Sequence, residues 1–131
     1  MKSKTILDFL LRAIPAAILL QTLYFKFTAA PESVYIFETL GLEPMGRIGI
    51  GILELVAAIL LIVPKTTWMG ALLGMGILAG ALFSHLTQLG IVVQNDGGTL
   101  FILASVTFVF CAILAWKNRT KIPFLNKMWS K

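Results

Sequence analysis

Long stretches of this chain are apolar on every side. They show neither the alternation of a half-exposed strand nor the narrow stripe of a soluble helix. Four such runs cover residues of about 6–27, 44–63, 68–89 and 99–116. At about 1.5 Å per residue, roughly 20 residues cross a hydrocarbon layer about 30 Å thick. The pattern predicts an all-α membrane protein, a bundle of four transmembrane helices forming a single membrane domain.

The first run is the least apolar. Asp8 and Arg12 stand four apart with the acid first, the favoured order for a helical ion pair. Pro15 is expected to kink the helix near Leu11. Arg12, Ala16, Leu19, Leu23 and Lys26 form one stripe at helical spacing. The second run, closed by Pro64, carries Arg47 near its start and Glu54 near its middle. The third is rich in glycine. Gly70-x-x-x-Gly74 and Gly76-x-x-x-Gly80-x-x-x-Ser84 are spacings that let helix backbones approach. His85 and Gln88 occupy its last turns. The fourth run contains no charged residue.

Residues 28–43 do not span. Pro31 suits a first helical position and Gly41 a C-terminal cap, with Val34, Tyr35, Phe37 and Leu40 between them. A short amphipathic helix at the membrane interface is expected, with Glu32, Glu38 and Glu43 facing water. Lys65-Thr66-Thr67 reads as a very short turn, and Asn95-Asp96-Gly97-Gly98 as a polar turn. Lys2 and Lys4 before an apolar run resemble a signal peptide. Asp8 and Arg12 interrupt that run, so a retained first span is expected.

Composition agrees with this pattern. The chain has 131 residues, 58% hydrophobic and 13% charged. Its mean hydropathy is +0.90, too apolar for a soluble domain of this length. The net charge of +5 gathers at the chain ends, which favours an anionic membrane surface over nucleic acid. Five Lys or Arg residues interleave with apolar ones in the basic tail 117–131. Lys2, Lys4, Lys65 and the tail fall on one side of a four-span chain. By the excess of cations on cytoplasmic loops, both termini are expected in the cytoplasm of a bacterial-type inner membrane. The lone Cys111 makes no intrachain disulfide or dithiol pair, and reads as a core residue.

A carboxylate within the hydrocarbon is costly, so Glu54 is a candidate for handling protons or binding a ligand. The alternative is a paired group that fixes helix register. Arg47 stands seven residues earlier, about 10 Å along the same face. Topology puts Lys26, Arg47, Glu54, His85 and Gln88 toward the outer side, as a candidate ligand-binding cluster. Arg12 lies toward the inner side, where it can reach Glu54 or pair with Asp8. With one histidine and no carboxylate pair, no metal site is evident. No catalytic residue is assigned.

These features resemble DoxX-like small membrane proteins. The resemblance rests on Arg12 and Lys26 in the first span and on Leu40-Gly41-Leu42-Glu43-Pro44 in the loop. It continues with Gly51-Ile52-Leu53-Glu54-Leu55 and Leu60-Leu61-Ile62-Val63-Pro64, then Gly80-Ala81-Leu82-Phe83-Ser84-His85-Leu86. It covers roughly residues 6–116 and implies a four-helix membrane bundle, with Arg12, Lys26, Glu54 and His85 as positions to test. Some members are associated with quinone-linked redox or oxidative-stress complexes, and others with assembly.

Three functions follow as expectations. One is a subunit of a membrane redox system holding a quinone or similar lipophile, at most an oxidoreductase acting with a partner. The second is a structural or assembly partner, with lipids, another membrane protein or a second copy as its contacts. The third is a small proton-coupled transporter, which lacks a visible inverted repeat.

Overall fold

The computed structural model describes residues 2–93 and 96–123. Five α-helices carry the chain: α1 Lys2–Phe27, α2 Pro31–Thr39, α3 Met45–Ile62, α4 Thr67–Ser84 and α5 Thr99–Lys117. Among the described residues there is no strand. Four helical segments are long and apolar enough to cross a membrane: Ser3–Phe27, Met45–Ile62, Pro64–Leu89 and Thr99–Lys117. They coincide closely with the four expected runs. The amphipathic tail expected over 117–131 lies outside the described residues beyond 123, and Asn95 of the polar turn also lies outside them.

The four long helices share one core. Ala16 and Leu19 of α1 meet Ala57, Ala58 and Leu61 of α3, Ala71 and Leu78 of α4, and Ala104, Cys111 and Leu114 of α5. The helix α1 continues through Pro15 and buries Pro15, Ala16, Leu19 and Leu23. Three of these belong to the expected stripe. Outward lie Ile52, Leu53 and Ile59 of α3 and Ile102, Val109 and Ile113 of α5, all exposed. An outer surface this apolar matches lipid rather than water.

Small residues set the closest contact. A Cβ added to Gly70 would lie 2.6 Å from the Leu61 backbone nitrogen and 2.9 Å from the Ala57 carbonyl oxygen. The two backbones α3 and α4 therefore touch through the first glycine motif. The second motif behaves differently. Around a Cβ at Gly76 or Gly80 nothing lies within 4 Å, so these glycines leave space where close helix packing was expected.

Hydroxyls close the α3–α4 connection, a 3₁₀ turn over Pro64–Thr66. Thr66 Oγ1 donates to the Leu60 carbonyl at 2.9 Å, and Thr67 Oγ1 lies 3.0 Å from both the Leu61 and Val63 carbonyls. Carbonyls that a helix end would leave without partners are thus satisfied in a low-dielectric setting. Helix α2 ends at Gly41, whose φ of 75° suits a residue without Cβ. Its N–H donates to Glu38, and the Leu42 N–H reaches back to Phe37 at 2.7 Å, the paired bonds of a Schellman turn.

Asp96 organises the approach to α5. Its Oδ1 accepts from the Val93 and Gly98 N–H groups at 3.0 and 2.8 Å, and its Oδ2 from Leu100 at 3.1 Å. Burial pushes the carboxyl's pKa up, but these three donors outweigh it and hold the group below the usual carboxylate range.

Two outcomes follow from this packing. Gly70→Ala forces two backbones apart and lowers the melting temperature in detergent markedly. Gly76→Ala leaves it unchanged or raises it, since alanine gains about 0.5–1 kcal/mol over glycine in a helix. Asp96 has a depressed folded-state pKa. Its contribution is therefore complete above the ordinary carboxylate range and disappears as pH falls through the lowered value. Amide exchange at Val93, Gly98 and Leu100, corrected for intrinsic rates, should lose protection in that acid window. Asp96→Ala should lose it at neutral pH, at a cost of about 1 kcal/mol.

Candidate functional site

Glu54 lies about 13 Å along α3 from its start, in the middle of the apolar layer. It is 4% exposed. Lys26, on the last turn of α1, leans back along its helix and places Nζ 2.8 Å from Glu54 Oε1. An ammonium at that distance is the counterion a buried carboxylate requires. The ammonium approaches outside hydrogen-bond angles, however, and Oε1 is buried with no directed donor. Proximity alone thus makes the ion pair, and Oε1 keeps an unfilled acceptor direction.

Thr22, one turn before Lys26, puts its hydroxyl 3.2 Å from Glu54 Oε2 and 2.7 Å from the Leu19 carbonyl. One hydroxyl has one hydrogen, so it serves its own helix or the carboxylate, not both at once.

Glu54, Lys26 and Thr22 line a cavity of about 330 Å³, within the size range of small-molecule sites. Most of its wall is apolar, from Ile18, Ile77, Leu78, Leu100 and Leu103, while Gly76 and Gly80 provide width. Helix α2 covers one side with Ser33, Ile36 and Phe37, joined by Leu40 just after it. Of these, Ser33 and Phe37 are buried, whereas Glu32 and Glu38 on the same helix are exposed.

His85 directly follows α4 and lines the same cavity, at the start of a local change of winding. After Ser84 the helix widens into a π turn over His85–Leu89, closed by the Gly90 N–H on the His85 carbonyl at 2.8 Å. The His85 ring is buried, edge-to-face with Phe101 at 5.6 Å between centroids. Its Nδ1 lies 2.9 Å from the Gly90 carbonyl oxygen. A carbonyl only accepts, so Nδ1 carries the hydrogen, and in the tautomer with one ring hydrogen Nε2 is the acceptor.

The structure brings Lys26, Glu54 and His85 to one cavity and places the other candidates elsewhere. Arg47 is 7% exposed and does not line the cavity. Its Nε donates to both oxygens of Glu43, at 2.8 and 3.0 Å, and its Nη1 to the Lys26 carbonyl. Glu43, expected to face water, is therefore half-buried and engaged. Gln88 is exposed outside the cavity wall. Arg12 donates to the Ile62 carbonyl at the end of α3. Asp8 pairs not with Arg12 but with Lys117 of α5, at 2.8 Å.

The two arginines thus play mirrored parts. Arg12 of α1 caps the end of α3, and Arg47 of α3 caps the end of α1. A helix end carries partial negative charge on unsatisfied carbonyls, which suits a cation. Arg47 also fixes the backbone of Lys26, whose side chain meets Glu54. The hydroxyls Thr22, Ser33, Ser84 and Thr107 also belong to the cavity wall, and charge patterning along the sequence does not mark them. For Thr22 the signal was available, as its position four residues before Lys26 puts both on one face.

No protein-family model, curated protein or solved structure matches this chain.

Lys26→Met strands the Glu54 carboxylate and should destabilise the fold by about 3–5 kcal/mol. Adding Glu54→Gln should recover most of that loss. Thermal unfolding of the two single variants and the double variant in one detergent reads the coupling.

Proposed function

We propose that this chain is a four-helix membrane bundle with both termini on the cytoplasmic side and α2 at the outer interface. In this reading it holds a small lipophilic molecule, with a hydroxyl-bearing head, in the cavity beneath α2. The observation that carries it is Glu54 Oε1, which is buried at the cavity wall, charge-compensated by Lys26 and without a directed donor. Such an acceptor is costly to leave unfilled in hydrocarbon, and a ligand O–H fills it.

The chemistry of the wall narrows the ligand. Glu54 Oε1 accepts, as does His85 Nε2 when the ring carries its one hydrogen on Nδ1, and the remaining wall is mostly apolar. A hydroquinone, with two O–H groups on an apolar ring, supplies donors that a quinone lacks. The protein then serves as the quinol-holding subunit of a membrane redox system whose electron acceptor belongs to a partner. The resemblance to DoxX-like proteins belongs to the same proposal.

Extraction into a polymer disc with native lipid, followed by mass spectrometry, tests this. A stoichiometric quinol or quinone is expected with the wild-type protein. It should be lost in Glu54→Gln and in Gly80→Leu, which fills the cavity at a position with open space around it. Bulk phospholipid alone beside a stoichiometric protein partner would overturn the proposal in favour of an assembly role.

A further inference from the structure

A second cavity lies at the opposite end of the helices, where the chain's cations gather. It measures about 470 Å³, and its wall includes Lys4 and Arg12 of α1, Lys117 of α5, and Lys121 in the 3₁₀ turn Arg119–Lys121 that follows α5. Its one acid is Asp8, already held by Lys117 at 2.8 Å. Four cations against one carboxylate leave a net charge of about three positive at one concave spot. Arg12 uses Nη1 on the Ile62 carbonyl, and a guanidinium has five N–H donors in all. Lys4 and Lys121 are exposed, so their ammonium groups are not spent on core contacts.

The surroundings indicate what kind of anion suits this spot. Leu7 and Leu10 on α1, and Ile113 and Trp116 on α5, flank the cationic residues in sequence and are exposed. A cationic pocket at the rim of an apolar helix surface matches a molecule with a phosphate at one end and hydrocarbon at the other. Basic pockets between membrane helices on the cytoplasmic side bind anionic lipid headgroups in this way. We infer that the cavity between the start of α1 and the end of α5 is a binding site for the phosphate of an anionic phospholipid, whose acyl chains lie along α1 and α5.

This site is independent of the cavity around Glu54. Native mass spectrometry of the full chain, released from discs of equimolar phosphatidylglycerol and phosphatidylcholine, counts retained lipids of each kind. Wild-type protein should retain phosphatidylglycerol preferentially. The double variant K4Q/K121Q should lower that preference about 25-fold, at about fivefold for each cation. Lys65→Gln removes a cation from the turn between α3 and α4, outside the cavity wall. It should leave the preference unchanged, and all variants should keep the wild-type melting temperature in phosphatidylcholine alone.

Equal retention of the two lipids would overturn the inference. So would an equal loss in Lys65→Gln, which would indicate a diffuse surface potential rather than a site. Displacement of phosphatidylglycerol by millimolar inorganic phosphate would identify a free-anion site and overturn the lipid assignment.

Discussion

An ionised carboxylate in the middle of an apolar layer is costly without a cation beside it, and the geometry around Glu54 meets that demand. Lys26 comes from a different helix, so α1 and α3 are held in one register. The ammonium reaches its partner only because α1 ends where it does, and Arg47 pins that end by its bond to the Lys26 carbonyl. Glu43 in turn holds the Arg47 guanidinium. A line of polar contacts therefore runs from the loop before α3 to the buried acid. Each member satisfies a group that hydrocarbon would leave exposed.

The same constraint governs the other end of α3. Its final carbonyls have no helical partners, and Thr66, Thr67 and Arg12 supply donors to them. Arg12 and Arg47 each cap the other's helix, so antiparallel packing of α1 and α3 makes both caps at once. Such capping keeps both guanidinium groups away from the cavity around Glu54. The binding chemistry near Glu54 is left to Lys26, His85 and a set of hydroxyls.

Glycine divides its work along α4. Gly70 brings two backbones together, and Gly74 makes room for the Cys111 sulfur, which lies 2.8 Å from where a Cβ would stand. Further along the helix, Gly76 and Gly80 face open space and widen the cavity instead. Helix α4 thus packs tightly near its start and opens toward its end. There His85 lines the cavity and the π turn begins.

The apolar runs determined the four long helices, because a single span of that length satisfies its own backbone in hydrocarbon only as a helix. Pro31 and Gly41 marked the bounds of α2 through local backbone chemistry. Helical spacing marked Ala16, Leu19 and Leu23 as one buried stripe. The partner of each polar side chain could not be read this way. Asp8 and Arg12 have ideal local spacing, yet Lys117 and the Ile62 carbonyl claim them. Arg47 shares a helix with Glu54, yet a lysine from another helix is the closer cation. Spacing along one helix records neighbours on that helix, whereas a buried charge goes to whichever counterion the packing brings nearest. The tertiary structure decided that choice, and with it which of two similar glycine motifs would close a gap and which would leave one.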